Sequence, residues 1–181
     1  MKGMVFVELL RMAEDALGED TVDDILDELD LSTGGAYNAV GNYPCSELMQ
    51  IVEAVSAHSG LPTDQLQRMF GNWIHERFVQ AYPAFFQGKQ NVLQMLDAIE
   101  NEVHVEVRKL YPDAELPTFD THWKSETALQ MRYASERPLV EFCHGMIEAC
   151  AKHFDTPTEI SVENQPDADG KSAIFDVRIA G

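Results

Sequence analysis

The hydrophobic period of the chain changes once, near Pro112, and that change limits the folds open to it. Upstream, apolar residues recur every three to four positions. "MVFVELLRMAEDALG" keeps this period up to Gly18, and "TVDDILDELDL" opens on Thr21 as a cap with acids in its first turn. "STGGAYNAVGNYP" reads as a loop. "CSELMQIVEAVSAHSG" and "TDQLQRMFGNWIHERFVQAYP" read as helices, the second bounded by Pro83, and "NVLQMLDAIENEVHVEVRKLYP" as a helix ending at Pro112. Downstream, "PTFDTHWKS" and "TALQMRYAS" are short and rich in Thr and aromatics, as strands are. "EISVEN" and "SAIFDVRIA" alternate in period two around "QPDADGK", where Asp169 and Gly170 signal a hairpin turn. Between these pairs Pro138 opens a helix, and Leu139, Phe142, Cys143, Met146, Ile147 and Cys150 form its buried stripe. The pattern predicts an α+β protein, with a helical N-terminal lobe over residues 1–112 and an antiparallel sheet lobe over 113–181 crossed by one helix.

Bulk properties narrow the function. A chain of 181 residues fits a single domain and buries roughly 70% of its unfolded surface. Lys and Arg total 13 against 31 Asp and Glu, a formal charge of −18 spread along the chain, which disfavours nucleic acid as a partner and favours a solvated surface. Cys45, Cys143 and Cys150 are odd in number and widely spaced, no secretory signal opens the chain, and no window approaches ~18 uninterrupted apolar residues. These features predict a soluble, cytoplasmic protein with no membrane segment.

Readable catalytic motifs are missing: there is no GxSxG elbow, HExxH pair, paired CxxC or phosphate-cradling glycine loop. Cys143 and Cys150 lie seven residues apart, a helical rise of about 10 Å that keeps them from sharing one zinc. His58, His75, His122, His144 and His153 sit in polar settings that predict surface or capping roles. His104 differs, because in "NEVHVEV" it borders an apolar stripe of Leu93, Leu96, Ile99, Val103 and Val107, which puts its ring at the edge of a core. In "MRYASERPLVEF", Tyr133, Ser135 and Arg137 take every second position and would share one strand face. A phenol, a hydroxyl and a guanidinium together suit a carboxylate or phosphate. The same three residues on a solvent-facing strand need no ligand.

With these residues in view, the chain resembles the H-NOX domains, heme-based nitric oxide and oxygen sensors related to the heme domain of soluble guanylate cyclase. "YASER" resembles the family's Tyr-x-Ser-x-Arg motif, His104 lies 29 residues before Tyr133 where the family has its proximal heme ligand, and the opening "MKGMVFVELL" and closing hairpin are similar too. The resemblance implies heme b between the two lobes, with iron on His104 and propionates on Tyr133, Ser135 and Arg137. It implies that Val5 and Pro117 press on the macrocycle. Oxygen-binding members carry a distal Tyr five residues after the motif's Arg. Here that position is Phe142, and Ile74, Phe78 and Met146 beside it are apolar as well. Without a buried donor, bound oxygen loses its stabilising hydrogen bond, whereas nitric oxide needs none.

The resemblance therefore implies a bacterial nitric oxide sensor rather than an enzyme. It implies a stand-alone subunit in which nitric oxide weakens or breaks the iron–His104 bond and the resulting shift regulates a histidine kinase or a cyclic-di-GMP enzyme. Two other readings remain on the sequence. One is a cofactor-free acidic adaptor whose Tyr133, Ser135 and Arg137 dock a partner's anion. The other is a heme peroxidase, which would need the distal acid and base that Phe142, Ile74 and Phe78 do not supply.

Overall fold

The computed structural model describes residues 1–165 and 169–180; residues 166–168 of the predicted "QPDADGK" turn lie outside the described residues. The chain is α+β. Four helices come first, α1 (Gly3–Leu17), α2 (Glu19–Asp27), α3 (Cys45–Ser59) and α4 (Thr63–Ala81), followed by a 3-10 turn at Pro83–Phe85. Each of the four buries an apolar stripe, Phe6, Leu9, Met12 and Ala13 on α1 and Leu48, Ile51, Val52 and Val55 on α3. Helix α2 starts two residues before the predicted Thr21 cap. Gly18 bonds back to the carbonyl of Glu14 and, at φ 90°, turns the chain straight into a new helix.

The predicted loop over 32–44 is tied to α3 by one carboxylate. Glu47 accepts from Ser32 Oγ at 2.6 Å, Thr33 Oγ1 at 2.7 Å, the Thr33 N–H at 3.3 Å and Tyr37 Oη at 2.7 Å. Burial works against its charge, but these donors outweigh it and hold the carboxyl down at about 2.

The segment predicted as one helix to Pro112 is three pieces. After α5 (Val92–Ala98), capped by Asn91 Oδ1 on the Gln94 N–H, comes a π-helical stretch at Ile99–Val103, then α6 (His104–Leu110). The strands follow: β1 (Thr118–Ser125), β2 (Ala128–Ala134), then α7 (Val140–His153), and finally β3 (Thr158–Asn164) and β4 (Ser172–Ile179). They form one antiparallel sheet in the order β1-β2-β4-β3, so α7 is the crossover from β2 to the far edge. Helix α7 begins at Val140, with Pro138 just outside it rather than in its first turn. Asp169 and Gly170 both take positive φ, 45° and 73°, the conformation an Asp-Gly hairpin turn requires.

Two hydrophobic cores result. One gathers Phe6, Leu48, Ile51, Phe70 and Ile74 from α1, α3 and α4. The other gathers Leu93 and Leu96 of α5 with Leu129, Met131, Phe175 and Val177 of the sheet, so α5 packs with the strands although it precedes residue 112. Helix α7 serves both: Phe142 and Met146 face the first core, and Val140, Cys143, Ile147 and Cys150 the second.

Helices α4 and α7 cross at two glycines. A Cβ on Gly71 would lie 2.1 Å from the carbonyl oxygen of Phe142, and one on Gly145 would lie 2.0 Å from that of Arg68. Both obstacles are backbone, so no rotamer change relieves them. Around the crossing Arg68 binds Glu141 through Nε and Nη2 at 3.1 and 2.5 Å. Gly145→Ala is expected to push the helices apart at a cost of about 1–3 kcal/mol, read in thermal unfolding as a Tm lower by about 2–4 °C per kcal/mol.

Candidate functional site

His104 is the first residue of α6, and its position comes from the π-helical turn before it: its own N–H donates to the carbonyl of Ile99, five residues back. The residue is buried, with a relative exposure of 7%. Nδ1 lies 3.0 Å from Glu100 Oε2, and among the described residues Nε2 makes no hydrogen bond. Burial lowers the affinity of the ring for a second proton, and the Glu100 carboxylate only partly restores it. His104 is therefore a neutral imidazole at neutral pH. A carboxylate can only accept, so Nδ1 carries the hydrogen and Nε2 presents a lone pair. That donor suits a single-histidine heme iron site.

The aromatic neighbours of His104 lead to the second part of the site. Phe119 on β1 lies 5.5 Å from the His104 ring and 5.7 Å from the Tyr133 ring, centroid to centroid. Tyr133 is buried on the inward face of β2, opposite Phe119 in register. Burial pushes its phenol well above the usual range, with the Ser135 hydroxyl pulling the other way.

Ser135 and Arg137 do not share the strand face with Tyr133. The strand ends at Ala134, and both residues lie in the turn before α7, where Ser135 Oγ accepts from the Arg137 N–H at 3.1 Å. The turn still keeps Arg137 mostly covered, with 12% of its side chain exposed. Its guanidinium donates to the carbonyl of Glu115 at 2.7 Å and pairs with the Glu115 carboxylate. Arg137 thus already recognises a carboxylate, and Glu115, itself largely exposed, is free to yield that place.

The remaining predicted residues gather on the first core. Ile74 is fully buried in it, and Val5, Phe78, Phe142 and Met146 pack against it; Phe142 lies 5.1 Å from Phe70. No hydroxyl or amide comes from these five side chains. Pro117 is half-buried immediately before β1, two residues from Phe119.

Two histidines depart from the surface roles predicted for them. His75 is buried on α4 against Phe86 and His153, with ring centroids at 5.4 and 6.0 Å, and His144 is buried on α7 between Glu141 and Glu148. On α7, Glu141 and Glu148 share the face of His144, three and four residues away, yet the histidine is buried. Glu100 and Phe119 are the site residues that the sequence alone did not single out. The first was within reach, since a residue four before a helical histidine lies on the same face; the second depends on strand placement. Among the described residues no group of three His, Cys, Asp or Glu side chains is placed to hold a bare metal ion.

Comparison with known proteins agrees with this geometry. A sequence profile described as Haem-NO-binding matches residues 2–162. The fold superposes on the Fe(II) unliganded H-NOX protein from K. algicida with TM-score 0.94 and 34% identity, covering 100% of this chain and 97% of that one. The IWP-051-bound H-NOX from Shewanella woodyi in the Fe(II)CO state gives 0.84 and 33%, covering 99% and 95%. The S. oneidensis H-NOX in the Fe(II)NO state, 23% identical, shares the fold at 0.89 over the full length of both chains. A search of curated protein sequences returns no match. Fold and profile define the class as a heme-binding gas-sensor domain. The chain belongs to the Haem-NO-binding, or H-NOX, family.

The burial of His75 has a consequence for acid stability. Desolvation, with His153 nearby, lowers its pKa from 6.5 to about 4. A group that is harder to protonate when folded stabilises the fold fully above its unfolded value, so stability is lost as pH falls from about 6.5 towards 4, by up to about 3 kcal/mol. Unfolding free energies at pH 7.5 and 4.5 should converge in His75→Phe relative to the unsubstituted protein.

Proposed function

We propose that the chain is a nitric oxide sensor in which His104 is the ligand released when nitric oxide arrives. The observation that carries this reading is the buried His104 ring, held by Glu100 through Nδ1 and leaving Nε2 uncommitted. Heme b, when bound, supplies a ferrous iron able to take a gas molecule on the side away from its protein ligand. His104 would hold that iron. Tyr133, Ser135 and Arg137 would bind the propionates, a role for which the Arg137–Glu115 carboxylate pair is a precedent within the chain. Ile74, Phe78, Phe142 and Met146 would line the distal side, and Val5 and Pro117 would press on the macrocycle.

An apolar distal wall favours nitric oxide over oxygen, because oxygen needs a buried hydrogen-bond donor to be held firmly and these side chains provide none. Release of His104 would free the start of α6 and let the contact of α6 and the π turn with β1 shift. Such a shift signals only if a partner discriminates the two states. The partner proposed is a bacterial cytoplasmic histidine kinase or a cyclic-di-GMP enzyme, with no nucleic acid or membrane involved. No described helix is long and apolar enough to cross a membrane.

The test is absorption spectroscopy of the heme-loaded, reduced protein. A five-coordinate ferrous spectrum unchanged by air and converted by nitric oxide to a five-coordinate nitrosyl is expected; a protein that takes up no heme would favour the acidic adaptor instead. His104→Gly should lose the histidine-ligated spectrum until imidazole is added. Phe142→Tyr, placing a hydroxyl in the distal wall, should bind oxygen at least about tenfold more tightly than the unsubstituted chain.

A further inference from the structure

We propose that Glu100 is a positioning residue that sets how strongly His104 holds its iron. This rests on the assignment of His104 as the axial ligand. Glu100 sits in the π-helical turn, and both of its oxygens are used. Oε1 accepts from Arg108 Nη2 at 2.9 Å, and Oε2 accepts from His104 Nδ1 at 3.0 Å and from the Phe119 N–H at 3.2 Å.

Arg108, His104 and the Phe119 amide all donate to Glu100, and this set of charge-assisted bonds places a carboxylate directly behind the imidazole. A carboxylate behind a ligating histidine fixes the tautomer and makes the metal-facing nitrogen a better donor. Glu100 therefore strengthens the grip of Nε2 and raises the threshold for release.

Its anchors add a second property. The carboxylate is fixed from three directions: its own π turn, Arg108 on α6 and a backbone amide on β1. A displacement of α6 relative to β1 must lengthen either the His104 or the Phe119 contact, since one oxygen serves both. Weakening of the His104 hold and movement of α6 along the sheet edge are thus coupled through Glu100 Oε2.

The test compares Glu100→Gln with Glu102→Gln in the ferrous heme-loaded protein. The first variant keeps the size and an acceptor for the Phe119 amide but removes the charge. The second removes a neighbouring charge that faces Lys89 rather than His104. Resonance Raman should show the iron–histidine stretch at lower frequency in Glu100→Gln only, with apparent heme affinity down by about 10- to 100-fold. An unmoved band with unchanged heme retention would overturn the inference.

Should Glu100→Gln not accumulate, NMR of the unsubstituted ferrous carbonyl protein decides the matter. A slowly exchanging, downfield His104 Nδ1 proton supports the bond to Glu100, and a rapidly exchanging one refutes it. A protein without heme, or His104→Gly with the original band, would defeat the axial assignment itself. A heme-loaded protein with an indifferent Glu100→Gln would defeat this inference alone.

Discussion

The close crossing of α4 and α7 is the contact on which the rest of the molecule depends. Gly71 and Gly145 let the two backbones approach to a distance at which any side chain would strike a carbonyl. Because α7 is also the crossover between β2 and β3, this contact joins the helical core to the sheet core. Phe142 and Met146 reach the first core from one side of α7, and Cys143 and Ile147 reach the second from the other. A wider crossing would move the apolar wall around Ile74 away from the strands that carry Tyr133 and Phe119.

Within this frame the protein treats its buried and half-buried polar groups in two ways. Glu47 and Glu100 are kept charged by three or four donors each, and each ties a segment without regular pairing to a helix. Among the described residues, His75 and His144 each keep a buried ring nitrogen with no hydrogen-bond partner, and desolvation lowers the affinity of both rings for a second proton. His104 combines the two. One nitrogen is anchored to a carboxylate, and the other is left available in an otherwise aromatic and aliphatic setting.

Much of the architecture was legible because it follows from hydrophobic period. The stripe of Leu139, Phe142, Cys143, Met146, Ile147 and Cys150 marked a buried helix, though as a single face where the fold uses two, and Asp169-Gly170 marked the turn of the closing hairpin. The motif spacing likewise drew attention to His104, Tyr133, Ser135 and Arg137. Period alone could not show that the helix through His104 is interrupted, because a π turn leaves the apolar pattern nearly intact while changing only the hydrogen bonding. Nor could alternation show that β2 stops at Ala134, so that Ser135 and Arg137 belong to a turn. The burial of His75 and His144 was hidden for a related reason. His75 precedes Glu76 and Arg77, and His144 lies within reach of Glu141 and Glu148, so both look polar in sequence, and only the packing of their helices covers them.

The π turn at Ile99–Val103 bears on the history of the gene as well as on the chemistry. One extra residue per turn is what a single-codon insertion into an ordinary helix leaves behind when no loop forms to absorb it. Deleting one codon in this stretch would restore a regular helix with no break in its backbone bonding. It would also shorten the spacing of Glu100 and His104, now four residues, and change the geometry in which the carboxylate meets the imidazole. The length of this segment is therefore as much a part of the site as the residues that line it.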